Sequence, residues 1–164
     1  MTTGADGKAV SGYLPAGKYW VKETTVPSGY LQDTTIYGVF ETGLDKATPS
    51  LTAEEIEQKA TINLSKEDSE TGKSPQGDAT LQGAEYGVYA REDIVHPDGS
   101  TGTLYTAGSL VVKMTTDSNG NASVSDLHCG KYYVKEITAP AGYQLDKTEY
   151  DLDLSYDGTA PIKA

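Results

Sequence analysis

A single cysteine, Cys129, excludes any intramolecular disulfide, so the chain must be held together by other means. No apolar run approaches the roughly 18 residues that a spanning helix needs, and insertion of this segment into a membrane is not expected. Positive charge is scarce: 13 Lys+Arg stand against 24 Asp+Glu, a formal net charge of −11. Such a surface repels phosphates, which argues against nucleic acid as a partner. Long stretches of Ala, Leu, Glu and Lys at helical spacing are missing too. Only His96 and His128 supply imidazole, and neither has a metal-ligand spacing partner, so surface positions are expected for both. Without a nucleophile elbow or a supported Ser/His/Asp grouping, no enzyme is expected, and no cofactor.

What is present points to β-structure. The 164 residues suffice for one ordinary domain, or for a small domain and a fragment. Glycine (18) and tyrosine (12) are frequent, and Val, Ile and Leu recur in short alternating runs between Gly, Asp, Asn and Pro clusters. That is the pattern of an all-β sandwich or barrel with a modest core. One segment departs from it. In Pro49–Lys59 (PSLTAEEIEQK) a helical turn or two is predicted, with Ser50 or Thr52 as N-cap and Glu54 and Glu55 in the first turn.

The chain is self-similar. Residues 1–30 (MTTGADGKAVSGYLPAGKYWVKETTVPSGY) align without a gap on residues 114–143 (MTTDSNGNASVSDLHCGKYYVKEITAPAGY), at a constant offset of 113 residues. Matched positions include Gly17 and Gly130, Tyr19 and Tyr132, Glu23 and Glu136, Pro27 and Pro140, Gly29 and Gly142, Tyr30 and Tyr143. This period is one domain long, which predicts a tandem array of β-domains. The expected division is residues 1–48 as the C-terminal half of one domain, 49–58 as a linker, and 59–164 as a second domain lacking its last strand. Met1 aligns with the internal Met114, so both ends are expected to lie inside a longer protein.

Strand parity selects candidate residues. In Lys131–Ile137 one face carries Tyr132, Val134 and Glu136, and these are the residues that recur unchanged as Tyr19, Val21 and Glu23. An inner face tolerates less change, so Tyr132, Val134 and Glu136 are assigned inward. In Thr61–Glu67, Ile62, Leu64 and Lys66 share a face. An amine and a carboxyl group are thus both directed into one small core, where each is costly unless paired or neutral. A structural ion pair and a reactive pair both remain open at this point.

Residues 64–89 (LSKEDSETGKSPQGDATLQGAEYGVY) resemble the opening K-x-D…T-G-K…L-x-G-A-x-Y-x-V-Y pattern of the B-type repeats of Gram-positive collagen-binding adhesins, also called SpaA-type pilin domains. Residues 130–143 (GKYYVKEITAPAGY) resemble that family's closing box, and residues 17–30 match it again, with Val26 where Ala is usual. The resemblance implies a prealbumin-like, Ig-like β-sandwich of about seven strands. It also implies a stalk or adhesive module of a secreted, cell-wall-attached surface protein or pilus, whose partners are neighbouring repeats of the same protein. Many family members form an intramolecular isopeptide bond, in which a first-strand Lys attacks a last-strand Asn or Asp with help from the closing-box Glu. By motif position Lys66 is the nucleophile and Glu136 the proton relay, with Glu23 the equivalent of Glu136 in the incomplete domain. Burial would release a neutral amine from a lysine whose ordinary pKa is near 10.4, and would keep the glutamic acid neutral enough to donate a hydrogen bond.

An acceptor is harder to find. The strand Tyr150–Tyr156 is predicted to turn Tyr150, Leu152, Leu154 and Tyr156 inward and its aspartates outward. Asp157 is a poor substitute, and no Asn or Asp stands in Thr52–Gln58. The bond is therefore expected to be absent from this chain. An alternative reading is a binding module for a host extracellular-matrix protein or glycan, with His96–Leu104 as its loop. Asp117–Asn121 resembles the start of a calcium loop but fails the EF-hand template at Ala122 and His128, so a β-turn is expected. Tyr30 and Tyr143 are expected to pack a turn against the sandwich.

Overall fold

A computed structural model describes residues 1–44, 49–72 and 74–158 and the backbone of 162–163. Its described residues form strands and turns without helix. In chain order the strands are β1 (Gly17–Val21), β2 (Tyr30–Leu31), β3 (Tyr37–Thr42), β4 (Ile56–Glu57), β5 (Lys59–Ser65), β6 (Glu85–Ala90), β7 (Ile94–Val95), β8 (Thr103–Tyr105), β9 (Leu110–Thr115), β10 (Asn121–His128), β11 (Gly130–Thr138), β12 (Tyr150–Leu154) and β13 (Ile162–Lys163). The chain separates into two compact units: residues 1–26 with 32–55, and residues 27–31 with 56–164.

The larger unit holds two main sheets besides the two-stranded pairings β2–β4 and β7–β8. One has four strands in the order β12-β11-β6-β9, the other three in the order β10-β5-β13. All the pairings are antiparallel except β13 with β5, which run parallel with Ile162 opposite Ala60 and Lys163 opposite Thr61. Their seven strands form the expected all-β, prealbumin-like sandwich. Alternation explains the core. Ala60 and Ile62 from β5, Tyr86, Val88 and Ala90 from β6, Tyr132 and Val134 from β11, and Leu154 from β12 are all buried. Each large side chain removed from water in this way contributes about 1.5–3 kcal/mol. Tyr133 departs from simple parity. It lies on the outer face of β11 yet is buried, because Tyr89 stacks on it at 5.0 Å and the Arg91 guanidinium covers it at 3.9 Å.

The helical turn predicted over Pro49–Lys59 does not form. Ile56 and Glu57 pair instead with Leu31 and Tyr30, and the Gln58 N–H donates to the Gly29 carbonyl at 2.9 Å. A helix this short is marginal alone, so tertiary pairing overrides its cap signal. Strand β12 also ends earlier than predicted, at Leu154, and its Tyr150 shares the inner face with Val134 and Leu152 but stays half-exposed. The Pro-x-Gly-Tyr segments are turns, as expected. Tyr143 N–H donates to the Pro140 carbonyl and Tyr30 N–H to that of Pro27, each at 3.2 Å. Gly142 (φ +89°) and Gly29 (φ +92°) occupy the left-handed position of a type II turn. A Cβ on Gly142 would also stand 2.6 Å from that of Ala79.

The smaller unit is an antiparallel β1–β3 ribbon with a bulge between Tyr19 and Val21. None of its described residues is buried, and Trp20, Ile36 and Val39 are exposed. A two-stranded ribbon without a covered face opens readily. Hydrogen exchange should therefore be fast for the amides of β1 and β3 and slow for those of β5, β6 and β11. Protection of β1 equal to that of β11 would contradict this account.

A buried lysine and glutamate beneath an open groove

Lys66 follows β5 directly, and strand parity carries it to the inner face with Ile62 and Leu64. Glu136 lies on β11 in line with Tyr132 and Val134, and the β11–β6 register sets it opposite Tyr86. The two charged groups meet. Lys66 Nζ lies 2.8 Å from Glu136 Oε1, with side-chain exposures of 11% and 0%. Nζ also donates to the Tyr86 hydroxyl at 3.4 Å. The rings of Tyr86 and Tyr143 flank the ammonium, each with its centroid 5.8 Å away, close enough for cation–π attraction. Glu136 Oε1 is buried and has no aligned hydrogen-bond donor among the described residues, so its charge rests on the ion pair. Oε2 accepts the Asp146 backbone N–H at 2.7 Å.

Burial works most strongly on the Lys66 amine, against its charge, but the contacts with Glu136 and Tyr86 together outweigh burial and hold Lys66 above the ordinary lysine range. Beside the pair lies an open groove of about 330 Å³, lined by residues that include Ile62, Leu64, Lys66, Tyr86, Val134 and Tyr150. It runs beside the edge of β5, which among the described residues β13 pairs at Ala60 and Thr61. The groove leaves the lysine side chain 11% exposed, while that of the glutamate stays fully buried.

Residues that the sequence reading did not select complete the site. Asp68, two positions past Lys66, accepts the Glu70 and Thr71 N–H groups at 2.8 and 3.0 Å and the Tyr143 hydroxyl at 2.8 Å. Those bonds, the backbone ones foremost, hold its carboxyl well below the usual range. They also pin the closing-box tyrosine over the lysine. Asp146 accepts from the Thr148 N–H at 2.9 Å and the Tyr150 hydroxyl at 2.7 Å, and contacts with Thr148 and Tyr150 lower its carboxyl to about 2. The K-x-D spacing and the closing box carried the signal for Asp68 and Tyr143. The signal for Asp146 and Tyr150 lay in comparing the chain with itself.

In the smaller unit Glu23 makes the same contacts. Its Oε2 accepts the Asp33 N–H at 2.7 Å, Asp33 Oδ1 accepts the Thr35 N–H at 2.8 Å, and Tyr37 donates to Asp33 Oδ2. Positions 23, 33, 35 and 37 differ from 136, 146, 148 and 150 by the same 113 residues. Against Glu23 stands another carboxyl, Glu55, which burial and the neighbouring Glu23 hold above the usual range. Asp157 is not brought to Lys66. Its Oδ1 accepts from Gln58 Nε2 at 2.7 Å, while its own N–H donates to Gln58 Oε1 at 3.3 Å.

The chain matches the SpaA prealbumin-like fold domain over residues 1–56 and 60–164, and it belongs to that family. The Trypsin-resistant surface T6 protein of Streptococcus pyogenes serotype M6 is 36% identical over 62 residues, covering 38% of this chain and 11% of that protein. The Bacillus anthracis TIE protein superposes with a TM-score of 0.69 at 29% identity, over 99% of this chain and 26% of its own. The T6 backbone pilin of S. pyogenes aligns over 65% of this chain and 19% of its own at 25% identity, with a TM-score of 0.41. The chain thus spans about a tenth of the T6 surface protein and a quarter of the TIE protein.

Two measurements test the pair. Lys66→Met leaves Glu136 buried and unpaired, and should cost roughly 3 kcal/mol in urea unfolding, the low end for a broken buried pair because water enters the groove. Lys66→Met with Glu136→Leu should recover most of that loss, and a double variant as unstable as the single one would refute an ionic pairing. The Asp146 carboxyl is depressed when folded, so its contribution is present above the unfolded value of 3.8 and is lost as pH falls toward about 2. Asp146→Asn should accordingly flatten the fall in stability between pH 4 and pH 2 relative to wild type, and an unchanged slope would exclude this role.

Proposed function

We propose that this chain is a stalk segment of an extracellular, cell-wall-attached surface protein or pilin, built from tandem domains, and that Lys66 and Glu136 form an isopeptide site awaiting its acceptor strand. The observation that carries the reading is the Lys66–Glu136 contact of 2.8 Å beside an open groove along the edge of β5. Two registers support it. Continuing β13 parallel to β5 sets position 168 opposite Lys66. The 113-residue offset carries Glu55, which lies against Glu23, to that same position. In this reading residues 1–48 are the C-terminal half of one domain, 49–58 a linker and 59–164 the second domain.

The chemistry follows from burial. A strand laid over the groove removes water, which favours moving a proton from Nζ to Oε1 and leaves a neutral pair. The amine then attacks the side-chain amide carbon of an asparagine. The new C–N bond forms, the old one breaks, and Glu136 passes the amine's proton to departing ammonia. The product joins the first and last strands, which run parallel and are the ones that tension along a stalk would shear. By analogy with disulfides, closing a loop of this length stabilises by roughly 4–5 kcal/mol in the chain-entropy model.

The test is a chain extended past Ala164 by a designed strand in the β13 register, with asparagine at position 168. Its intact mass should fall by about 17 Da as ammonia leaves, and Lys66→Ala should keep the full mass. A folded extended chain of full mass would overturn the proposal.

A further inference from the structure

Away from the groove, three side chains with distant sequence positions meet in the larger unit. Glu57 comes from β4, His96 follows β7 and His128 closes β10. A bulge between Val124 and Leu127, with Asp126 at φ 62°, sends Leu127 into the core and leaves His128 opposite Lys59. One donor atom from each of Glu57, His96 and His128 lies within 4.8 Å of the others. His128 Nδ1 is 2.6 Å from Glu57 Oε1, and His96 Nε2 is 3.6 Å from Glu57 Oε2. Lys59 Nζ reaches into the same space, 2.5 Å from Glu57 Oε2 and 2.9 Å from His128 Nδ1.

His128 Nδ1 therefore faces a carboxylate oxygen and an ammonium together. One ring nitrogen cannot donate to the first while accepting from the second. Lone pairs of Glu57 and His128 can instead converge on one cation, as both now do on the Lys59 ammonium. We propose that Glu57, His96 and His128 bind a divalent late first-row transition metal, zinc being the reference case, and that the Lys59 ammonium holds the cation position until the metal displaces it.

Two imidazoles and a carboxylate are a donor set that such ions favour, with a fourth position left open. Tetrahedral bonds of about 2.0–2.1 Å place donors roughly 3.3 Å apart, and the observed separations of 2.6 and 3.6 Å straddle that value. The outer support is present as well. His96 Nδ1 accepts the Asp98 N–H at 3.2 Å; with Nε2 on a metal the ring proton would move to Nδ1, which would then donate to Asp98 Oδ1, also 3.2 Å away, and Asp98 is fixed by the Ser100 and Thr101 N–H groups at 2.9 Å each. A carboxylate behind a histidine ligand orients the ring and raises its basicity. Lys59 can leave, since its side chain is 32% exposed and long enough to extend into solvent. Cys129 is outside the set, its thiol donating to the Gln58 carbonyl at 3.2 Å. A bound ion would tie β4 to the end of β10 and to the loop after β7.

Tag-free, chelator-stripped full chain titrated with zinc chloride in a calorimeter tests the proposal. Wild type should take up one zinc per chain, and Lys59→Met should bind about tenfold more tightly because the competing cation is gone. His96→Ala, His128→Ala and Asp98→Asn should each weaken binding by about tenfold or more. Circular dichroism of each variant confirms folding. Absence of saturable one-to-one uptake by both wild type and Lys59→Met would overturn the site, and so would uptake retained by the His96→Ala/His128→Ala double variant.

Discussion

A charge taken out of water must meet an opposite charge, and in the larger unit that rule links the two sheets. Lys66 extends the inner face of β5 and Glu136 belongs to that of β11. Their contact of 2.8 Å is the ionic tie across a core otherwise made of Ile62, Tyr86, Tyr132 and Val134. Neither group could be tolerated there alone. The rest of the site follows from keeping the pair in place. Tyr86 and Tyr143 shield the ammonium, Asp68 anchors Tyr143, and the Asp146 N–H holds the far oxygen of Glu136.

The same arrangement governs what the pair can become. An ion pair and a pair of neutral groups differ by one proton moved across a short gap. Under the function proposed above, a strand laid over the groove would favour the neutral form, so that the amine would become a nucleophile only once an acceptor is in position.

The outer surface obeys a different logic. Acidic side chains dominate the chain, and the few cations are used to gather them. Arg91 pairs with Glu149 at 3.1 Å and with Asp151 while lying over the Tyr133 ring. Lys135 lies 4.7 Å from the centroid of Tyr89. An outward face can thus bury an aromatic residue under charged neighbours, as Tyr133 is buried here.

Much of this was written in the sequence. Alternation of period two marked the inner positions of β5 and β11, including both members of the ion pair. The Pro-x-Gly-Tyr segments announced turns that only glycine completes easily, and the 113-residue offset related Glu23 to Glu136. These features are local or periodic, so a linear reading recovers them. What only the tertiary structure decided depends on segments distant in sequence. Pairing of Ile56–Glu57 with Tyr30–Leu31 displaced the expected helical turn. Gln58 engaged Asp157, and the gathering of Glu57, His96 and His128 joined residues up to 71 positions apart. The physical reason is common to all three. A side chain's intrinsic preferences are worth about a kilocalorie or less, and long-range hydrogen bonds and buried contacts of similar or greater strength override them once the chain has folded.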